Sequence, residues 1–209
     1  LIGELVLSRN RLKTLRTRLK DEELDRAVST LDIATARLSY PLVRSQATNV
    51  LLSVAYQHKE LEDRYASTGT IRKKRSEGVP VAIQFDRRDT FFGGGVTYGS
   101  LTWLPGYMNL DGDTAALDRI TARTEGRFNK TNLDIARIQD LSGPLTAYVR
   151  YSGQWTTKNL DSSEKFNLGG FYGVRAYPLG EGVGDTGWFA QLELRYAVGA
   201  VTPFVFHDM

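Results

Sequence analysis

Apolar and polar residues alternate along most of this chain. In residues 145–157, LTAYVRYSGQWTT, one face carries Leu145, Ala147, Val149, Tyr151, Gly153 and Trp155. The other carries Thr146, Tyr148, Arg150, Ser152, Gln154 and Thr156. Successive side chains of a strand point to opposite faces, so this segment predicts a strand with one apolar and one polar face. Residues 187–197 repeat the pattern: Trp188, Ala190, Leu192, Leu194 and Tyr196 oppose Phe189, Gln191, Glu193 and Arg195. Residues 49–58 and 79–86 alternate in the same way, 33–40 similarly, and 93–103 and 131–139 more weakly between turn residues. Residues 1–8 and 201–209 complete a set of about nine predicted strands. Several are longer than an ordinary soluble strand.

The links between these strands alternate in length. YPLVRSQ, DRRDTFFGG, DLSGP and AVGAVT are short, whereas residues 9–31, 59–78, 104–128 and 158–186 form long links. Short turns at one end and long loops at the other are the mark of an outer-membrane barrel, and strands of ten or so residues suit a tilted bilayer crossing. Tyr40, Trp103, Trp155, Trp188 and Tyr196 fall at strand ends, as interfacial girdles require. The fold class expected is therefore all-β: part of an antiparallel transmembrane β-barrel. A soluble sandwich or lipocalin-like barrel is the competing reading. Residues 9–25, RNRLKTLRTRLKDEELD, resist the pattern. Leu12, Leu15, Leu19 and Leu24 have near-helical spacing, but basic residues precede acidic ones, against the helix dipole. A loop helix and an extended polar loop are equal readings, and a partner-binding amphipathic helix is a third.

Composition supports β structure and narrows the chemistry. The 209 residues include 20 glycines, 11% aromatics and no cysteine. The 27 basic and 24 acidic residues leave +3, too near neutral to imply nucleic acid. No run approaches the eighteen or so apolar residues of a membrane-spanning helix. Catalysis finds no anchor: the two histidines, His58 and His207, read as surface residues, and no GxSxG turn occurs. No His pair has ligand spacing, so no metal or other cofactor is expected. NLDGDT (109–114) faintly resembles a calcium loop and reads better as a solvated loop. GGG at 93–95 reads as a bulge or tight turn.

Several ordered segments carry a more specific signal: LSYPLVRSQATN (38–49), GGGVTYGSLT (93–102), NLDSSEKFNLGG (159–170), GVRAYP (173–178) and PFVFHD (203–208). Together they resemble the outer-membrane transporters of two-partner secretion, the haemolysin-activator and filamentous-haemagglutinin transporter branch of the Omp85 superfamily. The resemblance implies a barrel of about sixteen strands preceded by periplasmic POTRA domains. Residues 1–209 would be a partial C-terminal barrel domain, lacking POTRA domains and the first and last strands. It also implies that 158–186 is a long extracellular loop folded into the lumen. The tip of that loop would carry a lid motif, Val174, Arg175, Ala176 and Tyr177, with alanine where the family usually has glycine.

A lumenal arginine needs a partner, and its planar fork suits a carboxylate. By alternation Glu193 and Asp208 both face the lumen, and the resemblance favours Asp208. The polar face of Arg150, Gln154, Gln191, Glu193 and Arg195 would line the path of a passing chain. The implied function is ATP-independent translocation of a large, β-helix-forming exoprotein, passed unfolded to the surface, by a non-enzymatic pore embedded in outer-membrane lipid. An assembly factor of the same superfamily is the alternative, ahead of an outer-membrane enzyme or a soluble β-barrel binder.

Overall fold

The computed structural model describes residues 4–20, 23–65, 69–170, 173–178 and 180–209. Its strands are β1 (Glu4–Lys20), β2 (Glu23–Arg44), β3 (Thr48–Tyr65), β4 (Thr70–Gly78), β5 (Val81–Asp89) and β6 (Gly95–Leu110). They continue with β7 (Gly126–Ser142), β8 (Leu145–Thr156), β9 (Phe166–Asn167), β10 (Val183–Gly184), β11 (Gly187–Tyr196) and β12 (Phe204–Asp208). A single α-helix among the described residues, α1 (Gly112–Ile120), lies between β6 and β7. Ten strands form one antiparallel sheet in the order β1-β2-β3-β4-β6-β7-β8-β11-β12, with β5 also paired to β3 and β6. The ribbon of β9 and β10 stands apart.

β4 and β5 occupy one lane of the sheet. Pro80 separates them, and its missing N–H explains why the ladder breaks there. The flanking groups stay paired, Ala55 N–H donating to Pro80 O and Val79 N–H to Pro105 O at 3.0 Å each. With that lane counted once, all nine expected strands are present.

The long links behave differently from the expectation. Residues 4–20 and 23–44 form one hairpin, so the segment 9–25 is extended strand on both sides of the pair 21–22, which lies outside the described residues. Neither a helix nor an unpaired loop forms. The charge order that opposes a helix dipole suits a hairpin: the register sets Arg18 opposite Asp25, Lys20 opposite Glu23 and Arg11 opposite Asp32. Residues 59–78 repeat the device. Glu60 faces Arg75 and Glu62 faces Lys73, with nitrogen–oxygen distances of 3.7 and 3.9 Å. Charged residues interrupt the hydrophobic alternation along these extensions, while the backbone ladder continues. NLDGDT caps a helix: Asp111 accepts from Thr114 N–H at 3.3 Å and starts α1. The GGG segment forms the expected tight turn, with Gly93 and Gly94 at φ 100° and 111° before β6 begins at Gly95.

The register sorts side chains into two surfaces. Outward stand Leu38, Tyr40, Val54, Tyr56, Ile83, Leu101, Trp103, Val149, Trp155, Trp188, Leu192 and Leu194, all large and exposed. An apolar belt of this extent, bounded by Trp and Tyr, is a lipid-facing surface. Tyr151 stacks between Trp155 and Trp188 at 6.4 and 5.8 Å within it. The inner face is polar through its lower part. Towards the long-loop end it holds a small apolar core of Leu104, Met108, Leu110, Ala115, Phe128 and Leu160. Gly106 permits this packing, since a Cβ there would lie 2.4 Å from the Phe128 ring. Leu160 comes from the long loop and Ala115 from α1, so the core ties loop, helix and wall together.

Replacing Leu101 with Arg should destabilise the folded protein in lipid by about 2–4 kcal/mol. The same change at its inward neighbour Ser100 should cost much less. Unfolding free energies measured in bilayers check both, and equal costs would refute the assignment of faces.

Candidate functional site

The site is built where the described residues between 157 and 186 fold back against the inner wall. Two sets of contacts hold this loop, one at its stem and one at its tip.

At the stem, Glu164 has a side chain 1% exposed. Its Oε1 lies 2.6 Å from Lys59 Nζ on β3 and accepts from Ser76 Oγ on β4 at 3.2 Å. Its Oε2 lies 2.8 Å from Lys130 Nζ on β7, an ion pair that lacks hydrogen-bond geometry. The Glu164 carbonyl accepts from Lys130 Nζ and from Gln154 Nε2 on β8 at 3.0 and 3.1 Å. β3 and β8 are four lanes apart, about 19 Å on a flat sheet. One residue reaches both only because the sheet curls around the loop, which is direct evidence of a barrel wall.

Asp161 makes a parallel contact to Lys74 Nζ on β4 at 2.8 Å. Lys165 reaches Asp185 across the stem at 3.4 Å, and Asp185 Oδ1 accepts from Leu160 N–H at 2.9 Å. Burial pushes the Glu164 carboxyl up, but the Lys59 and Lys130 ammonium groups outweigh it and hold the group below its ordinary 4.5. Burial likewise raises Asp161, and Lys74 with the Ser163 hydrogen bonds brings it below its ordinary 3.8.

At the tip, residues 168–170 and 173–178 close on themselves. Val174 N–H donates to Leu168 O at 2.8 Å, and Gly170 N–H to Tyr177 O at 3.1 Å. Glycine is required at 173, where a Cβ would lie 2.0 Å from Leu168 O. The Arg175 guanidinium pairs through Nη2 with Glu193 Oε1. Its backbone N–H donates to Asp208 Oδ2 at 3.1 Å, while its Nε stays 3.9 Å from the same oxygen. The sequence expectation favoured Asp208 as side-chain partner. The geometry gives the close side-chain contact to Glu193 and the backbone contact to Asp208. The β11–β12 register explains it: Glu193 lies opposite Phe206, whose ring the guanidinium covers at 4.2 Å, one inward position from Asp208.

Glu193 also pairs with Arg195 at 2.5 Å, so it serves two cations while only 8% exposed. Asp208 Oδ1 is buried without a hydrogen-bond partner among the described residues. Ala176 is exposed, so its methyl group meets no packing constraint. Val174 is buried and Tyr177 is about half exposed.

The other inward polar residues are brought to the same face. Gln191 Nε2 donates to Gly173 O at 3.0 Å, and Gln154 joins Asn132, Glu164 and Asp185. Arg150 pairs with Asp134 at 2.5 Å, away from the tip. His58 rests between Glu60 and Glu77, and His207 lies on the outward side of β12 opposite Leu192. Sequence reasoning missed Lys59, Lys74 and Lys130. The available signal was their parity, which sets each on the inner side of its strand beside Gln57, Ser76 and Asn132.

A curled antiparallel wall, apolar outside and polar inside, with a long loop docked on its inner surface, defines a section of an outer-membrane transmembrane β-barrel. Solved structures agree on the fold. CdiB from Escherichia coli superposes with a TM-score of 0.75 at 17% identity, covering 95% of this chain and 37% of that one. CdiB from Acinetobacter baumannii gives 0.67 at 17% identity, covering 94% and 34%. Residues 28–209 match the family described as haemolysin secretion/activation protein ShlB/FhaC/HecB, and the chain belongs to that family. Among curated relatives, the heme/hemopexin transporter protein HuxB of Haemophilus influenzae Rd is 27% identical over 164 residues, 77% of this chain and 28% of its own length. The same protein from strain 86-028NP is 26% identical over 162 residues. The chain thus spans well under half of the proteins it matches.

Removing one partner of a buried ion pair strands the other, so Glu164→Ala should cost about 3–5 kcal/mol of stability, read by denaturant unfolding in detergent. The pH dependence follows from the lowered carboxylates. Their contribution is complete above the ordinary values of 3.8 and 4.5 and is lost as pH falls through the lower folded values. Protease protection of the stem should therefore hold from neutral pH to near pH 4.5 and fall below it. Protection unchanged in stronger acid would contradict this.

Proposed function

We propose that this chain is the wall section and lumen loop of a pore that passes a large exoprotein from the periplasm to the cell surface in two-partner secretion, without ATP and without enzymatic chemistry. The observation that carries this reading is the character of the inner surface. It is mainly polar, and the loop tip rests on it through charge, hydrogen bonds and the contact of Arg175 with the Phe206 ring. Arg150 and Arg195, with Gln191 and Glu193 beneath the loop tip, offer an unfolded chain hydrogen-bond partners and few adhesive apolar patches. Polar contacts of this kind exchange with water or with a passing peptide at little net cost. An exoprotein that becomes a β-helix outside would move as an extended chain whose backbone groups need such partners.

The likeness to a haemolysin secretion/activation family and to a heme/hemopexin transporter supports export as the task. By the same resemblance, POTRA domains of the full protein would receive the cargo, and residues 1–209 would be part of the barrel that follows them. In this reading Val174, Arg175, Ala176 and Tyr177 form a lid, with Glu193 and Asp208 as its wall contacts.

In cells carrying the full-length protein and its exoprotein, Arg175→Ala should reduce the exoprotein in the medium sharply while the barrel still assembles, as judged by heat-modifiable migration. Glu193→Gln and Asp208→Ala should act in the same direction. Unchanged secretion in all three would refute the lid. Normal secretion with defective insertion of other outer-membrane barrels would point instead to an assembly factor.

A further inference from the structure

The two holds on the loop differ in kind. Glu164 and Asp161 have side chains 1% and 6% exposed, and their lysines are 13–16% exposed. They reach three strands, β3, β4 and β7, and Leu160 beside them is sealed into the apolar core under α1. At the tip, the Arg175 side chain is 32% exposed, and its contacts go only to β11 and β12. Between the two lies the two-residue ribbon of β9 and β10, closed by the Leu168 N–H to Gly182 O bond at 3.1 Å. Past that bond the segment 173–178 touches the wall through Gly173 O, Arg175 and the neighbouring rings. Stem and tip share no residue in their wall contacts.

We propose that Asp161 and Glu164, with Lys59, Lys74 and Lys130, are positioning residues that fix the stem of the loop to the barrel wall, so that only the tip at 173–178 leaves the wall when the pore works. The stem is the pivot and the Arg175 contacts are the release. Breaking the tip contacts exposes one arginine that already meets solvent and returns water to Glu193 and Asp208. Breaking the stem contacts strands a buried carboxylate between two lysines and opens the apolar core. The tip is therefore the part that yields first. This goes beyond the lid reading, which says nothing of what holds the rest of the loop, and it rests on that reading only for the purpose of the motion.

The test uses the full-length protein in liposomes and reads distances rather than secretion. The chain contains no cysteine, so thiols introduced here for spin labels meet no native thiol among these 209 residues. One label goes on the stem at Ser163 or on the tip at Ala176, both exposed, and the other on the wall at Leu141. With the native loop, both distance distributions should be narrow. Glu193→Gln with Asp208→Asn should broaden the tip distance and leave the stem distance unchanged. Glu164→Gln with Asp161→Asn should broaden both, and Lys59→Arg, which keeps the charge, should leave the stem narrow. If the tip variant broadens the stem as much as the tip, the loop moves as one body and the proposal fails. It also fails if the stem variant leaves the stem narrow. Loss of the transport reading would appear separately, as absent secretion by the unaltered protein, and would not alter these distances.

Discussion

A carboxylate with almost no solvent access, fixed by two lysines from strands that are far apart in the sheet, is the constraint on which this structure turns. Glu164 could not be ionised in that position without Lys59 and Lys130, and those lysines could not stand on an inner wall without an anion between them. Satisfying all three at once requires the sheet to curl and the loop to enter it. Beside this cluster the same curl lets Leu160 of the loop enter the apolar core with Met108 and Phe128.

The membrane imposes the complementary demand. A strand facing lipid must present apolar side chains outward and pair every backbone group. It is then free to be polar on the other side. The Arg150–Asp134 pair, the Glu193 pairs with Arg175 and Arg195, and the amide contacts of Gln154 and Gln191 all use that freedom. In the β3–β4 extension, cross-strand ion pairs such as Glu60 with Arg75 take over from the hydrophobic belt. At the opposite end, Arg137 grips Asp89 through two contacts of 2.8 Å and steadies the tight turn before β6.

The membrane strands were legible because lipid on one side and a polar interior on the other write period two directly into the chain. The outer hairpins were not, because Glu60, Glu62, Lys73 and Arg75 erase the apolar alternation while the ladder persists. Reading 9–25 as a helix or loop failed for the same reason: its charge order is a cross-strand code, and the helical spacing of its leucines is incidental. Helix α1 was hidden in NLDGDT, where Asp111 is a cap. At the site, family resemblance found Arg175, and alternation found both of its carboxylates. Which one takes the guanidinium depends on side-chain reach across β11 and β12, which no sequence pattern encodes. The stem lysines were invisible for a plainer reason. A lysine among charged neighbours near a loop reads as solvated surface, and only the fold shows that Lys59, Lys74 and Lys130 converge on one short run, DSSEK.

Glu164 and Asp161 make the stem part of the wall. Hydrogen exchange on the full-length protein in lipid addresses that most directly, through the amides that bind within the stem, Leu160 and Glu164. They should exchange as slowly as the neighbouring amides of β6 and β7. Exchange of these amides at the rate of an open, solvated loop would contradict a stem anchored by Glu164 and Asp161.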